Sequence, residues 1–283
     1  MRSILILAIA GLTYTSCADE ANSKTVSESR SVNNLEDSVN SNNPEPLKAD
    51  AATILSKKEV PILCYHRIKD MKPGEANKMP GYLISTSKFS AQVKMLADSG
   101  YHSITPDEYL NYLYFGSSLP DKPIMFTFDD TREEHYSIAA KELEKNGFKG
   151  VFFMMTISIN RKNYMTTEQI KDLDNRGHVV ASHTWDHTNV KKLEGEAYDD
   201  QFKKSKERLE GIIGKPVEYL AYPFGEWKPE AIPELEKRGY KAAFQLSSMK
   251  RDSTNPAFSL RRMIVPGDWE LSTMRKWMKI NFK

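Results

Sequence analysis

The sequence predicts an α/β fold of parallel strands alternating with helices, and three observations carry that expectation. Short apolar runs recur from Val60 onward, amphipathic stretches of helical period lie between them, and most of those stretches end on glycine. The strand candidates are 61–65, 124–128, 151–155, 178–182, 218–222, 242–246 and 262–265. The helical candidates are 87–100, 133–147, 166–177, 199–214 and 228–239, closing on Gly100, Gly147, Gly177, Gly214 and Gly239, the residue type that most readily takes the left-handed helix cap. About seven strands separated by helices fit either an open doubly wound sheet or a closed barrel, and periodicity does not separate the two. In both, functional groups gather at the carboxyl ends of the strands, where the βα loops meet.

The remaining chain reads as a delivery apparatus. Residues 1–17, MRSILILAIAGLTYTSC, place one arginine before an apolar run from Ile4 to Leu12, the layout of a secretory leader and too short to span a bilayer. The stretch YTSC resembles a loose lipobox, so Cys17 is the expected lipidation site; an ordinary cleaved leader is the alternative. Only two cysteines exist, and with Cys17 removed or acylated Cys64 has no disulfide partner. Residues 18–58 are rich in Ser, Asn, Asp and Glu and poor in large apolar side chains, a composition expected of a disordered tether. The folded domain is expected over 59–283, about 225 residues, enough for a sizeable core. With 40 Lys and Arg against 38 Asp and Glu the formal charge is +2, and no basic stripe with interleaved aromatics points to nucleic acid. An exported lipoprotein of the periplasm or outer cell surface, or otherwise a secreted protein, is expected. It would be a monomer that meets the membrane only through its anchor.

Chemistry concentrates at three strand ends. FTFDD, residues 126–130, ends an apolar run on two adjacent carboxylates, Asp129 and Asp130. Such a pair repels itself unless a cation or a proton intervenes. One carboxylate can then hold a divalent metal while its neighbour stays free to take a proton from a water that the cation acidifies. The competing reading is a pair that caps the next helix, whose first turn carries Glu133 and Glu134. HTWDH, residues 183–187, offers two imidazoles four apart, on one face if the segment is helical, and two imidazoles with a carboxylate are a common open zinc set. AYPFG, residues 221–225, joins Pro and Gly in a turn where Gly225 permits close backbone approach.

Together these residues resemble the polysaccharide deacetylases of carbohydrate esterase family 4, which share the NodB-homology domain. Thr127-Phe128-Asp129-Asp130-Thr131 matches the first motif, TFDDG; His183-Thr184-Trp185-Asp186-His187 matches H[ST]xxH; Ala221-Tyr222-Pro223-Phe224-Gly225 matches RxP[YF]G. The resemblance spans roughly residues 60–270, and the YH of the lead-in PILCYHRI and the AYPFG form are similar to the exopolysaccharide-deacetylase branch. It implies a distorted, incomplete (β/α)7 barrel and one divalent metal ion, zinc first with cobalt or nickel as alternatives, held by Asp130, His183 and His187. Asp129 would be the general base and the backbone N–H of Phe224 the oxyanion donor. The implied reaction hydrolyses N-acetyl groups of N-acetylglucosamine units in a glycan and releases acetate.

Three positions depart from that pattern. Thr131 stands where the family has glycine, so the turn is expected to avoid positive φ or to change course. Ala221 replaces the arginine that braces the catalytic Asp in many members, and Arg261 or Arg262 are the candidate replacements. No histidine follows His187, so the general acid of many members is missing, and His66, at the end of the first strand, is the candidate proton donor. His102, His135 and His178 read as structural. Tyr222, Trp185 and Trp227 are the expected sugar contacts, with Trp269 beside another loop, because flat aromatic faces stack on pyranose rings. Two other functions compete: an O-acetyl esterase acting on acetylated xylan or a similar glycan, and a glycan-binding protein whose catalytic site has decayed.

Overall fold

The structure, a computed structural model, describes residues 47–70, 72 and 81–282. The leader, Cys17 and residues 18–46 of the expected tether lie outside the described residues. Ordered chain begins earlier than residue 59. Helix α1, Ala51–Ser56, is capped by Asp50, whose side chain accepts from the Thr53 N–H at 2.8 Å, and it buries Ile54 against the core. A cap and one docked apolar side chain order a segment whose overall composition is that of a tether.

The elements that follow are β1 Ile62–Tyr65, β2 Arg67–Ile68, β3 Leu83–Ile84, α2 Thr86–Asp98, β4 His102–Ser103, α3 Pro106–Phe115 and β5 Pro123–Asp129. The chain continues with α4 Lys141–Lys145, β6 Gly150–Met154, α5 Thr167–Asn175, β7 Val179–Ser182, α6 Lys204–Ile213 and β8 Tyr219–Ala221. The last elements are α7 Ala231–Lys237, β9 Ala242–Leu246, β10 Leu260–Ile264 and α8 Leu271–Asn281. Single π-turns at His135–Ala140 and Asp199–Lys203 lead into α4 and α6. The five glycines expected to end helices have φ between 72° and 83°.

Strands β1 and β5 to β10 form a parallel ring, closed because β1 pairs with β5 on one side (Ile62 with Met125 through Tyr65 with Phe128) and β10 on the other. This is the seven-stranded (β/α) barrel. It is distorted at the β7–β8 seam, where a single residue pair, Ser182 with Leu220, joins the strands. Between β9 and β10 a short turn, Pro256–Ser259, stands where a full helix would complete the repeat. Strands β2 and β3 form a separate ribbon. Two-residue strands leave no alternation for a sequence to display.

Side chains alternate across the barrel wall, which positions the site. Phe126 and Phe128 of β5 pack among the helices with Leu143 and Phe152, whereas Met125 packs with Ile62, Val151 and Phe244. By the same alternation Asp129 ends the inward-facing column, and Asp130 begins the turn over the rim.

His178 is structural, as expected. Its Nδ1 accepts from the Gly150 N–H at 3.0 Å, and its Nε2 faces Glu144 at the same distance. Protonation would remove the acceptor that Gly150 uses, and burial pulls this imidazole down to about 4 despite Glu144. A His depressed in the folded state contributes stability that is full above its unfolded pKa and is lost as pH falls through its folded one. Unfolding free energy should therefore fall as pH drops from about 6.5 towards 4 through this group. Chemical denaturation of wild type and His178→Gln across that range checks it, with a flatter profile expected in the variant.

Candidate active site

The strand ends enclose a cavity of about 310 Å³ walled by His66, Asp129, Asp130, His183, His187 and Phe224, with Tyr82, Tyr222, Gly225, Leu246, Arg262 and Ile264. A larger cleft of about 620 Å³, between Lys57, Met249 and Ile280, holds none of these groups. The chemistry sits in the smaller one.

Asp130, His183 and His187 each aim one ligand atom at a common point. Asp130 Oδ1 lies 3.5 Å from His187 Nε2 and 3.8 Å from His183 Nε2. Bonds of about 2.0–2.2 Å to a tetrahedral ion set its ligand atoms a little over 3 Å apart, so the three donors fit a divalent metal with small adjustment. Nδ1 of His183 lies 2.7 Å from the Ala221 carbonyl oxygen, the geometry of a donated N–H, which leaves Nε2 free to face the site. Burial pulls His183 down to about 4, against the upward pull of Asp129, and so keeps the ring neutral as a ligand must be. The alternative role for the acid pair, capping the next helix, does not occur: no side chain caps the turn at His135.

The two histidines are not on a helix. HTWDH is a tight turn with positive φ at Thr184 and His187, in which the His187 N–H donates to Thr184 Oγ1 at 3.1 Å and Gln201 Oε1 accepts from the N–H groups of Trp185 and Asp186. Eight non-glycine residues have positive φ among the described residues, and five of them are here: Asp130, Thr131, Thr184, His187 and Phe224. Such conformations cost on the order of 1–3 kcal/mol each and persist where the surroundings over-determine them. Thr131 corrects the expectation drawn from its β-branch. It does not avoid the glycine-like conformation but adopts it, at φ 60°, tied by its hydroxyl to the Met155 carbonyl at 3.2 Å. At the third motif Phe224 has φ 62° and Gly225 φ 70°; a Cβ on Gly225 would stand 2.9 Å from the Leu246 nitrogen, so glycine is required.

Asp129 lies beside the triad, its Oδ2 3.8 Å from His183 Nε2, but both its oxygens are engaged elsewhere. Arg262 donates to it through both nitrogens, Nη1 to Oδ1 at 2.6 Å and Nη2 to Oδ2 at 2.9 Å, while the guanidinium lies over the Phe153 ring at 5.0 Å. The Cys64 thiol, pushed up by burial and so held as S–H, donates to Oδ2 at 3.6 Å. Burial opposes ionisation of Asp129, but Arg262 and then His183 outweigh it and hold the carboxyl well below its ordinary range. Arg262 thus braces Asp129 in place of the arginine absent at Ala221, from β10, two strands along the ring from β8. Arg261, the other candidate, binds Glu59 at 2.8 Å and the Ser247 carbonyl. The signal was present in LRRMI: consecutive strand residues face opposite ways, so one of two adjacent arginines has to enter the barrel, where it needs a carboxylate.

His66 reaches the same carboxylate, with Nε2 3.9 Å from Asp129 Oδ2, and burial lowers its pKa against the pull of both acids. The expected sugar contacts are placed otherwise. Trp227 is buried, donates to Gln245 Oε1 at 2.7 Å and stacks on Tyr222, whose hydroxyl is bonded to the Phe258 carbonyl. Trp185 lies under Lys204 and Arg208, and Trp269 stacks on Trp277. Of the four only Tyr222 borders the cavity, as part of its wall. Each ring finds a polar or aromatic partner inside the fold, which sequence position alone does not reveal.

A sequence profile of the polysaccharide deacetylase family matches residues 116–243, which contain all three motifs. The chain carries a polysaccharide deacetylase domain of the NodB-homology type. It is 29% identical over 210 residues, 74% of this chain and 72% of the other, to YxkH of Bacillus subtilis, whose own polysaccharide deacetylase assignment is provisional. It is 23% identical to the poly-beta-1,6-N-acetyl-D-glucosamine N-deacetylase of Staphylococcus aureus, over 76% of this chain and 81% of that one. Among solved structures, IcaB from Ammonifex degensii superposes with a TM-score of 0.65 at 26% identity, covering 79% of this chain and 98% of that one. The domain is accordingly that of a hydrolase acting on acetylated carbohydrate, and it carries a candidate Asp-His-His metal site.

Proposed function

We propose that the domain removes N-acetyl groups from N-acetylglucosamine units of a cell-envelope or extracellular polysaccharide. The observation that carries this reading is the division of labour at the acid pair: Asp130 faces the two histidines, while Asp129 is clamped by Arg262 and kept ionised. Asp130, His183 and His187 would hold one divalent ion, zinc first, with cobalt or nickel also suited to the donors. Such an ion, when bound, polarises an acyl carbonyl and acidifies water. Asp129 would take the proton from the attacking water, and His66, whose Nε2 stands 3.9 Å from Asp129 Oδ2, would donate the proton that the leaving amine needs. The backbone N–H of Phe224 supplies the oxyanion donor in a turn that Gly225 alone permits. A site keeping this base, its clamp and three ligands does not read as decayed.

Similarity to the Staphylococcus aureus enzyme supports a poly-N-acetylglucosamine-like substrate. No helix among the described residues is long and apolar enough to cross a membrane, and export with lipidation at Cys17 remains our proposal for how the domain meets its glycan. Acetate release from β-1,6- and β-1,4-linked N-acetylglucosamine oligomers and from acetylxylan tests the reading. Turnover of an N-acetylated oligomer is expected, and release from acetylxylan alone would replace it with ester hydrolysis.

A further inference from the structure

Two large aromatic side chains at the cavity mouth are left open to solvent, Tyr82 at 44% and Phe224 at 60% exposure. They border it beside different histidines. The Tyr82 ring stands at 86° to His66 with centroids 4.8 Å apart, and the Phe224 ring at 83° to His187 with centroids 4.6 Å apart. Exposing this much aromatic surface beside a cavity is unfavourable unless a ligand covers it, and pyranose rings present flat C–H faces of matching size.

Tyr82 is also held in place by a ribbon anchored in the core. It immediately precedes β3, in the two-residue ribbon outside the barrel, where the Arg67 N–H donates to the Tyr82 carbonyl at 3.0 Å. Arg67 is in turn fixed by Glu134. On the other side the chain after β10 presses against the ribbon at Gly267, where a Cβ would fall 1.9 Å from the Leu83 carbonyl oxygen. The ribbon buries Ile68, Leu83 and Ile84 against the fold and so anchors the residue that precedes β3, holding the Tyr82 ring beside His66.

We propose that Tyr82 and Phe224 form an aromatic mouth that stacks on sugar rings of the substrate chain, so that the enzyme selects a polymeric glycan over small acetylated compounds. This deepens the glycan-deacetylase reading above and rests on it. Tyr82 is the residue to test, because Phe224 also contributes its backbone to the site.

Steady-state kinetics of wild type, Tyr82→Ala, Tyr82→Phe and Gly267→Ala should be compared on an N-acetylglucosamine pentasaccharide and on 4-nitrophenyl acetate. For Tyr82→Ala the pentasaccharide KM should rise about tenfold with kcat within about twofold, and kcat/KM should fall about tenfold more on the pentasaccharide than on the small ester. Tyr82→Phe keeps the ring and should stay within about twofold of wild type, whereas Gly267→Ala should reproduce the KM rise by displacing the ribbon. An unchanged KM in Tyr82→Ala, or equal losses on both substrates, would overturn the proposal while the deacetylase reading stands. A wild type that turns over no acetylated oligomer would overturn both.

Discussion

Arg262→Met should lower the unfolding free energy by about 3–5 kcal/mol and shift the acid limb of kcat/KM to higher pH. Arg262 and Asp129 are both buried, and the two short bonds between them are what offsets the cost of removing both charges from water. Methionine fills much of the same volume but leaves the carboxylate uncompensated. The sign follows from linkage. Arg262 lowers the Asp129 pKa, so its loss lets burial raise it, and the base becomes protonated at pH values where the wild type is ionised. Activity near pH 5 should therefore fall further than activity near pH 8. Arg262→Lys, which keeps the charge but not the two-pronged geometry, should recover part of the stability and part of the shift. Denaturant titration and a pH–rate profile read these effects separately. A variant as stable as wild type with an unmoved acid limb would remove Arg262 from its assigned role.

The second large effect is expected from Asp129→Asn. The amide preserves shape, but its one oxygen can accept only one of the two Arg262 bonds and leaves the buried guanidinium charge unpaired. A stability loss comparable to that of Arg262→Met is therefore expected, and turnover is read where the variant is folded. The amide cannot take a proton from water. Loss of a positioned general base lowers kcat by roughly 10²–10⁴-fold, and metal bound by Asp130, His183 and His187 should be retained because both Asp129 oxygens are taken up by Arg262. Asp130→Asn should behave in the opposite way and lose metal first. Elemental analysis beside acetate release separates the two, and near-normal turnover in Asp129→Asn would assign the base elsewhere.

How much of this was legible in the sequence depends on the range of the interaction. Most of the barrel strands are readable because they are apolar runs of several residues, the last, LRRMI, being the exception, and the acid pair, HTWDH and AYPFG are readable because each is contiguous. The Arg262–Asp129 clamp joins residues 133 positions apart in sequence, and only strand alternation hinted at it. Thr131 shows the limit of local propensity: surrounding bonds force a β-branched residue into a conformation its own sterics disfavour. The tryptophans show another. Position in a βα loop suggested sugar contacts, but whether a ring faces the cavity depends on partners such as Gln245 and Lys204 that only the folded chain brings near. Tyr82 went unnoticed for the converse reason, since a two-residue ribbon carries no pattern to mark it.

The most direct test of the central claim, that Asp130, His183 and His187 hold one catalytic divalent ion beside a clamped base, is metal stoichiometry measured together with acetate release on the same samples. One equivalent per chain is expected in wild type, with metal and turnover both lost in His183→Ala and His187→Ala. Turnover should disappear on chelation and return when zinc is added. Full acetate release from metal-free protein would contradict it.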